Sequence, residues 1–211
     1  MKSGEGDAMR ETEPAPARER HGERVPDSPA FGPSGLSDRT PAYGDFVRLL
    51  LRYKAWANGI TFPAILALPA GEALRPRATR FGNIVHTLNH VYVVDDIFRA
   101  HLEGRNHGYA ARNTDETPDL ADLWEAVQAL DQWYVTYAAG LSDAALGEMV
   151  EFQFVDGGAG AMTRAEILLH VVNHGTYHRG FVGDMLYQVP AAFPGNDLSV
   201  FCARAATCDP H

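Results

Sequence analysis

Apolar positions recur every three to four residues in four separate stretches of the chain, which predicts four amphipathic helices. The first runs from about Tyr43 to Leu68, with Phe46, Leu49, Leu50, Tyr53, Trp56, Ile60 and Leu66 along one face. Pro63 falls inside it; the ring lacks a donor and clashes with the carbonyl of Gly59, so a kink or break is expected there. The second helix spans about Thr79 to Glu103 and stops at Gly104, with Val93, Val94 and Ile97 on its core stripe. The third starts at Pro118, with Thr117 as its cap, and ends near Ala139; Leu120, Leu123, Trp124, Val127, Leu130, Tyr134 and Tyr137 form its face. The fourth covers Ala165 to Leu186, opened by a Thr163–Glu166 capping box and ended by Pro190.

Between the third and fourth helices the period changes. Val150, Phe152 and Phe154 alternate with Glu151 and Gln153 ahead of Asp156, Gly157 and Gly158, which predicts a short hairpin, read as a minor element. Residues 1–41 carry six prolines and hardly any large apolar side chains, so this extension is expected to be disordered. Ala191 to His211 shows no helical period. The predicted fold class is therefore all-α: residues 42–211 form an antiparallel four-helix bundle with a short hairpin.

Composition narrows the function. The chain's 45% hydrophobic residues are enough for a folded core, while a formal net charge of -9 argues against a nucleic-acid surface, which rests on clustered Lys and Arg. No apolar run approaches the roughly 18 to 20 residues that cross a bilayer, and the N-terminus lacks an apolar signal core, so no membrane partner and a cytoplasmic location are expected. Cys202 and Cys208 stand in no metal-ligand spacing and are read as free thiols.

The candidate chemistry lies in the histidines. His170, His174 and His178 occur at i, i+4 and i+8 of the fourth helix; each step advances about 400°, so all three project from one stripe, flanked by Ile167, Val171 and Val182. A lone inward histidine is usually a satisfied core residue, but several buried imidazoles in register are costly unless a shared cation relieves them. The second helix carries His86, His90 and His101 on nearly one azimuth. Two ligands one turn apart on the fourth helix need a third from another helix, and His90 is the best placed. Three neutral nitrogens would leave positions open for water or substrate, as in catalytic zinc sites; zinc and nickel stand ahead of manganese and iron. A local echo, His86-x-x-Asn89-His90 and His170-x-x-Asn173-His174, slightly favours shared chemistry. Two familiar metal patterns are missing: no Glu-x-x-His lies on the predicted helices, and Val171, Val172 and Asn173 separate the histidines where a zinc protease needs His-Glu-x-x-His.

The stretch His170-Val-Val-Asn-His174-Gly-Thr-Tyr-His178-Arg-Gly180, together with Tyr53-x-x-Trp56-Ala57-Asn58 and His90, resembles the DinB family of damage-inducible bacterial proteins, over about Tyr43 to Asp197. The resemblance implies a four-helix bundle, often dimeric, that holds a divalent metal through His90, His174 and His178, with His170 a neighbour and not a ligand. It further implies reactions of low-molecular-weight thiols, such as mycothiol-dependent isomerisation or bacillithiol transfer. The family's common His-Arg-Gly-Gln continues here as His178-Arg179-Gly180-Phe181, a departure that leaves the implied metal ligands intact and puts any role of that glutamine in doubt.

Three functions follow as expectations: a metal-dependent transferase of the thiol type, a metal-dependent hydrolase, or a non-catalytic metal-binding stress-response protein. The expected partners are a small-molecule substrate, a low-molecular-weight thiol by resemblance, and a second copy of the chain, through exposed apolar residues on the first and third helices. Tyr53, Trp56, Trp124, Trp133 and Tyr134 are read as core and rim aromatics. Asp95 and Asp96 lie about 140° and 240° around the helix from His90 and are read as solvated or paired elsewhere. Arg179 is read as an anion-binding group or a structural ion pair.

Overall fold

A computed structural model describes residues 42–114, 117–189 and 195–208 of the protein. The disorder expected for residues 1–41 and the helix stop expected at Pro190 fall outside these residues. The described chain is mostly helical. In order it forms α1 (Tyr43–Leu66), a single 3-10 turn (Glu72–Leu74), α2 (Ile84–Glu103), α3 (Leu120–Ala139), the short α4 (Asp143–Leu146), strands β1 (Met149–Gln153) and β2 (Ala159–Thr163), then α5 (Arg164–Leu186) and α6 (Leu198–Cys208). Helices α1 and α2 each pack against both α3 and α5.

Two apolar clusters fill the space between these helices. One gathers Leu51, Ala57, Phe98, Leu130, Tyr134 and Leu168; the other gathers Phe62, Ile65, Leu88, Val127, Val182 and Met185. Polar residues fall between the two clusters in sequence at Asn58 on α1, His90 on α2 and His174 to Arg179 on α5, while Lys54 and Asp131 are set into the first cluster near its boundary with the second. The core is thus apolar at both ends with polar chemistry in the middle.

The α1 face differs from the expected one. Its buried stripe is Val47, Leu51, Lys54, Asn58, Thr61, Phe62 and Ile65, whereas Phe46 and Leu66 are exposed and Leu49, Leu50, Trp56 and Ile60 are only half-buried. Polar residues at three core positions hid the true stripe from a hydrophobicity pattern. Nor does Pro63 break the helix, which continues to Leu66; the ring sits in the last turn on an exposed position, where little of the ladder lies beyond it.

Local chemistry also moved two helix starts. Helix α2 begins at Ile84 instead of Thr79, because the Asn83 side chain caps it by accepting from the His86 amide at 2.8 Å. Helix α3 begins at Leu120, capped by Asp119 and not by Thr117; its carboxylate accepts from the Ala121 amide at 2.8 Å. The Thr163–Glu166 capping box of α5 is present as expected, with Thr163 Oγ1 accepting from the Glu166 amide at 3.2 Å and the Glu166 carboxylate accepting from the Thr163 amide at 2.7 Å.

Helix α6 occupies a segment for which no helix was expected. Phe201 lies 6.0 Å from Tyr53 and 5.5 Å from Trp56, and Tyr53 Oη donates to the Asn196 carbonyl at 2.9 Å, so the aromatic pair of α1 docks this helix. The hairpin forms as expected, with Phe152 opposite Gly160. A side chain at Gly160 would meet the Phe152 ring at 2.5 Å, which is why glycine stands there. No helix among the described residues is long and apolar enough to cross a membrane.

Candidate metal centre

His90 of α2 and His174 and His178 of α5 converge, one ring nitrogen from each lying within 4.8 Å of the others. His174 and His178 reach the same spot because they are one helical turn apart; His90 comes from the facing helix. The Nε2 atoms of His90 and His174 are 3.2 Å apart. Metal–nitrogen bonds of about 2.0 to 2.1 Å in tetrahedral geometry place two ligand nitrogens roughly 3.3 Å apart, so this pair is spaced to share a cation. The donor set of three imidazoles suits a borderline dication.

The surroundings keep the rings neutral. Burial, with His178 and His90 adding to it, pushes the His174 pKa down to about 3, and burial with His90 lowers His178 to about 4. Burial also lowers His90, against the opposing effect of a backbone partner. That partner is the Arg112 carbonyl, 3.1 Å from His90 Nδ1. A proton on Nδ1 donates to it and leaves the Nε2 lone pair directed at His174, the orientation a ligand needs. His174 Nδ1 and His178 Nδ1 are buried without a hydrogen-bond partner among the described residues. Phe81 stacks on His90 with ring centroids 4.7 Å apart and meets the His178 ring edge-on at 5.2 Å.

The cluster opens into a cavity of about 450 Å³. Val94, Ile97 and Phe98 of α2 form one wall, Phe154 of the hairpin and Tyr177 and Phe181 of α5 another. The hairpin is therefore no minor element: Phe152 stacks on His101 at 4.6 Å and meets Phe98 edge-on at 5.7 Å, while Phe154 lines the cavity itself. His101 and His170 line this cavity outside the three-histidine cluster, and His86 lies outside both. His90 and His174, the closing residues of the two sequence echoes, meet at the site, but the central asparagines diverge: Asn89 is buried and donates to Thr114 at 2.9 Å, while Asn173 is exposed.

A second polar cluster lies next to this one on the same helices. Lys54 is buried between Asp131 and Asp95, its Nζ 2.9 Å from Asp95 Oδ2. Asn58 donates to Asp131 at 2.8 Å and accepts from Arg179 at 3.2 Å; Arg179 also donates to Thr176 at 2.9 Å. Burial alone would lower the Lys54 pKa, but Asp131 and Asp95 outweigh it and hold it raised, so the ammonium is retained. Asp95 is thus paired, not solvated; Asp96 is paired too, accepting from Tyr109 Oη at 3.0 Å. Arg179 points into this network and lies outside the histidine cavity, so its expected anion-binding reading gives way to a structural one, without a carboxylate partner among the described residues.

Sequence reasoning named the three converging histidines but missed the groups that orient them. The Arg112 contribution is a backbone carbonyl, which no side-chain pattern reveals. Phe81 sits in a connection ahead of the true start of α2, and Lys54 drew no reading from the hydrophobicity pattern.

Fold and cluster together define a helical protein with three histidines arranged closely enough to hold a metal ion. The chain belongs to the DinB family, whose sequence model matches residues 40–204. It is 28% identical over 169 residues to Protein DinB of Bacillus subtilis (strain 168), a match covering 77% of this chain and 97% of that protein. Its fold is similar to the crystal structure of a DinB-like protein from Bacillus cereus, with a TM-score of 0.53 and 15% identity, covering 69% of this chain and 94% of that one.

Proposed function

We propose that His90, His174 and His178 bind one divalent metal ion and that the protein is a metal-dependent enzyme acting on a small molecule in the adjoining cavity, as a transferase of the thiol type. The observation that carries this reading is the convergence of three imidazole nitrogens, two with pKa values pushed to about 3 and about 4, at the edge of a mostly apolar cavity. Neutral nitrogens need no deprotonation before they bind, and three protein ligands leave coordination positions for substrate. We read the four long helices as an antiparallel four-helix bundle, the architecture in which facing helices build such sites.

Thiol chemistry is favoured over hydrolysis by what surrounds the cluster. No carboxylate lines the cavity among the described residues. A thiol bound to a dication loses its proton outright, whereas metal-bound water keeps a pKa of about 7 and is only partly ionised at neutral pH. Metal, when bound, supplies the Lewis acidity; the chain supplies the neutral nitrogens, the Arg112 carbonyl that orients His90, and the aromatic walls of the cavity. Association as a homodimer is proposed on Tyr43 and Phe46 of α1, which are exposed; α3 presents no comparably exposed large apolar residue. Light scattering at micromolar concentration tests it, and a monomer mass would end it.

The test of the site is metal analysis of protein purified without a nickel column, followed by cobalt substitution. One metal per chain and a change in the cobalt absorption spectrum on adding a simple thiol are expected. Protein that takes up no zinc, nickel, manganese, iron or cobalt would overturn the reading.

A further inference from the structure

The charge of the cavity does not match the charge of the protein. The chain carries 27 acidic against 18 basic residues, yet the described lining contains no Asp or Glu and two arginines, Arg80 and Arg112. Both are exposed, and neither guanidinium meets a carboxylate among the described residues. Both also lie beside His90: Arg80 precedes Phe81, which stacks on that ring, and the Arg112 carbonyl is 3.1 Å from its Nδ1. A dication held by three neutral imidazoles would add positive charge that no protein ligand cancels. An apolar wall with low dielectric would strengthen this field within the cavity.

We propose that the substrate carries a carboxylate, held by Arg80 and Arg112 at the solvent side of the cavity, and an apolar body that lies against Phe98, Phe154 and Phe181. This deepens the reading of the site as a metal-dependent enzyme by naming what its substrate must contain. Guanidinium groups present forked donors that match a carboxylate, and charge-assisted hydrogen bonds of this kind exceed neutral ones. The arrangement selects by charge beside His90 and by apolar contact with the phenylalanines, and it sets the reacting group near the histidine cluster.

The test is calorimetric and uses the full chain in two states. Metal-loaded protein is titrated with 3-mercaptopropionate and with its uncharged amide; metal-free protein is titrated with 3-phenylpropionate and with its amide. Each carboxylate is expected to bind about tenfold or more tightly than its amide, and in R80A/R112A this preference should collapse to within about twofold, with metal content unchanged. Equal affinity for acid and amide in the unaltered protein, or a preference that survives in the double variant, would overturn the proposal. The metal-free arm separates the two readings: if no thiol reaches the metal but 3-phenylpropionate still outbinds its amide through the arginines, the enzyme reading fails and the carboxylate site stands.

Discussion

The histidine cluster and the Lys54 network are neighbours that share helices α2 and α5, and they treat buried polarity in opposite ways. In the network nearly every group has a partner: Lys54 sits between two carboxylates, Asn58 bridges Asp131 and Arg179, and Tyr134 Oη donates to the Asp95 carbonyl at 2.6 Å. In the cluster, two Nδ1 atoms have none, and three uncharged rings face one another beside a cavity. Two ammonium or guanidinium charges and two carboxylates balance in the network, which spans α1, α2, α3 and α5 and leaves beside it a space of only about 10 Å³. A satisfied polar layer fixes how helices meet; an unsatisfied one beside open space is poised for a ligand. Even the network has one loose end, since Asp95 Oδ1 is buried without a partner among the described residues.

The contrast is broken most severely at Lys54. Lys54→Met leaves Asp95 and Asp131 buried beside each other without their cation, and loss of one partner from a buried ion pair costs about 3 to 5 kcal/mol. Urea unfolding of metal-free protein should show that loss. A change below about 1 kcal/mol would mean that the network contributes little to holding the helices together.

Replacing a histidine of the cluster should do the reverse. His174→Ala or His178→Ala removes a buried ring whose Nδ1 has no partner, so metal-free stability should shift by no more than about 2 kcal/mol, within the range for modest core truncations. Bound metal, read by elemental analysis, should fall to a small fraction of one per chain. Stoichiometric metal in either variant with the fold intact would remove that residue from the site.

The same division decided how much could be read from sequence. The cluster was legible in part because its signal is local: one turn separates each of His170, His174 and His178 from the next, so helix geometry offers neighbouring pairs, and the family resemblance picked His174 with His178. The network was not, because it is made of pairs 73 and 77 residues apart, Asn58 with Asp131 and Lys54 with Asp131, and each member looks like surface when viewed alone. The same blindness turned the α1 stripe, where Lys54, Asn58 and Thr61 occupy core positions. Helix α6 was invisible for a related reason: its stability rests on Phe201 meeting Tyr53 and Trp56, not on a long stripe of its own. The Thr163–Glu166 capping box and the Gly104 stop, being local, were found where they are.

Acid should pull the two regions in opposite directions. The folded-state pKa values of His174 and His178, about 3 and about 4, lie below the ordinary 6.5, so the unfolded chain binds their protons first and the stability present above pH 6.5 declines as pH falls through the folded values. Burial raises the Asp95 carboxyl to about 6 against the opposing pull of Lys54. Here the folded chain binds the proton first, so this group adds stability as pH falls from about 6 toward 4. Near pH 5 the two histidines and one carboxylate leave a net loss of about one proton's worth, roughly 1.4 kcal/mol per pH unit. Urea midpoints of metal-free protein from pH 7 to pH 5 measure it. Rising stability over that interval would contradict the neutral-histidine assignment.

The finest test is at His170, which shares the α5 stripe with the cluster. Its ring lies 5.6 Å from that of His174 in near-parallel stacking and 4.6 Å from Phe98, and it lines the cavity, yet its nitrogens are not among the converging three. Its pKa is lowered by burial alone. His170→Ala should therefore keep one metal per chain while removing a stacking neighbour of His174, a change worth about 0.5 to 1.5 kcal/mol beyond the lost burial. Metal affinity is read by competition with a chelating dye, where a shift smaller than about tenfold is expected, because His170 only stacks on a ligand ring, whereas loss of a partner hydrogen-bonded to a ligand costs roughly 10- to 100-fold. Complete loss of metal from a folded His170→Ala protein would place the site one turn nearer the start of α5, with His170 and His174 as its pair, and would detach it from His178.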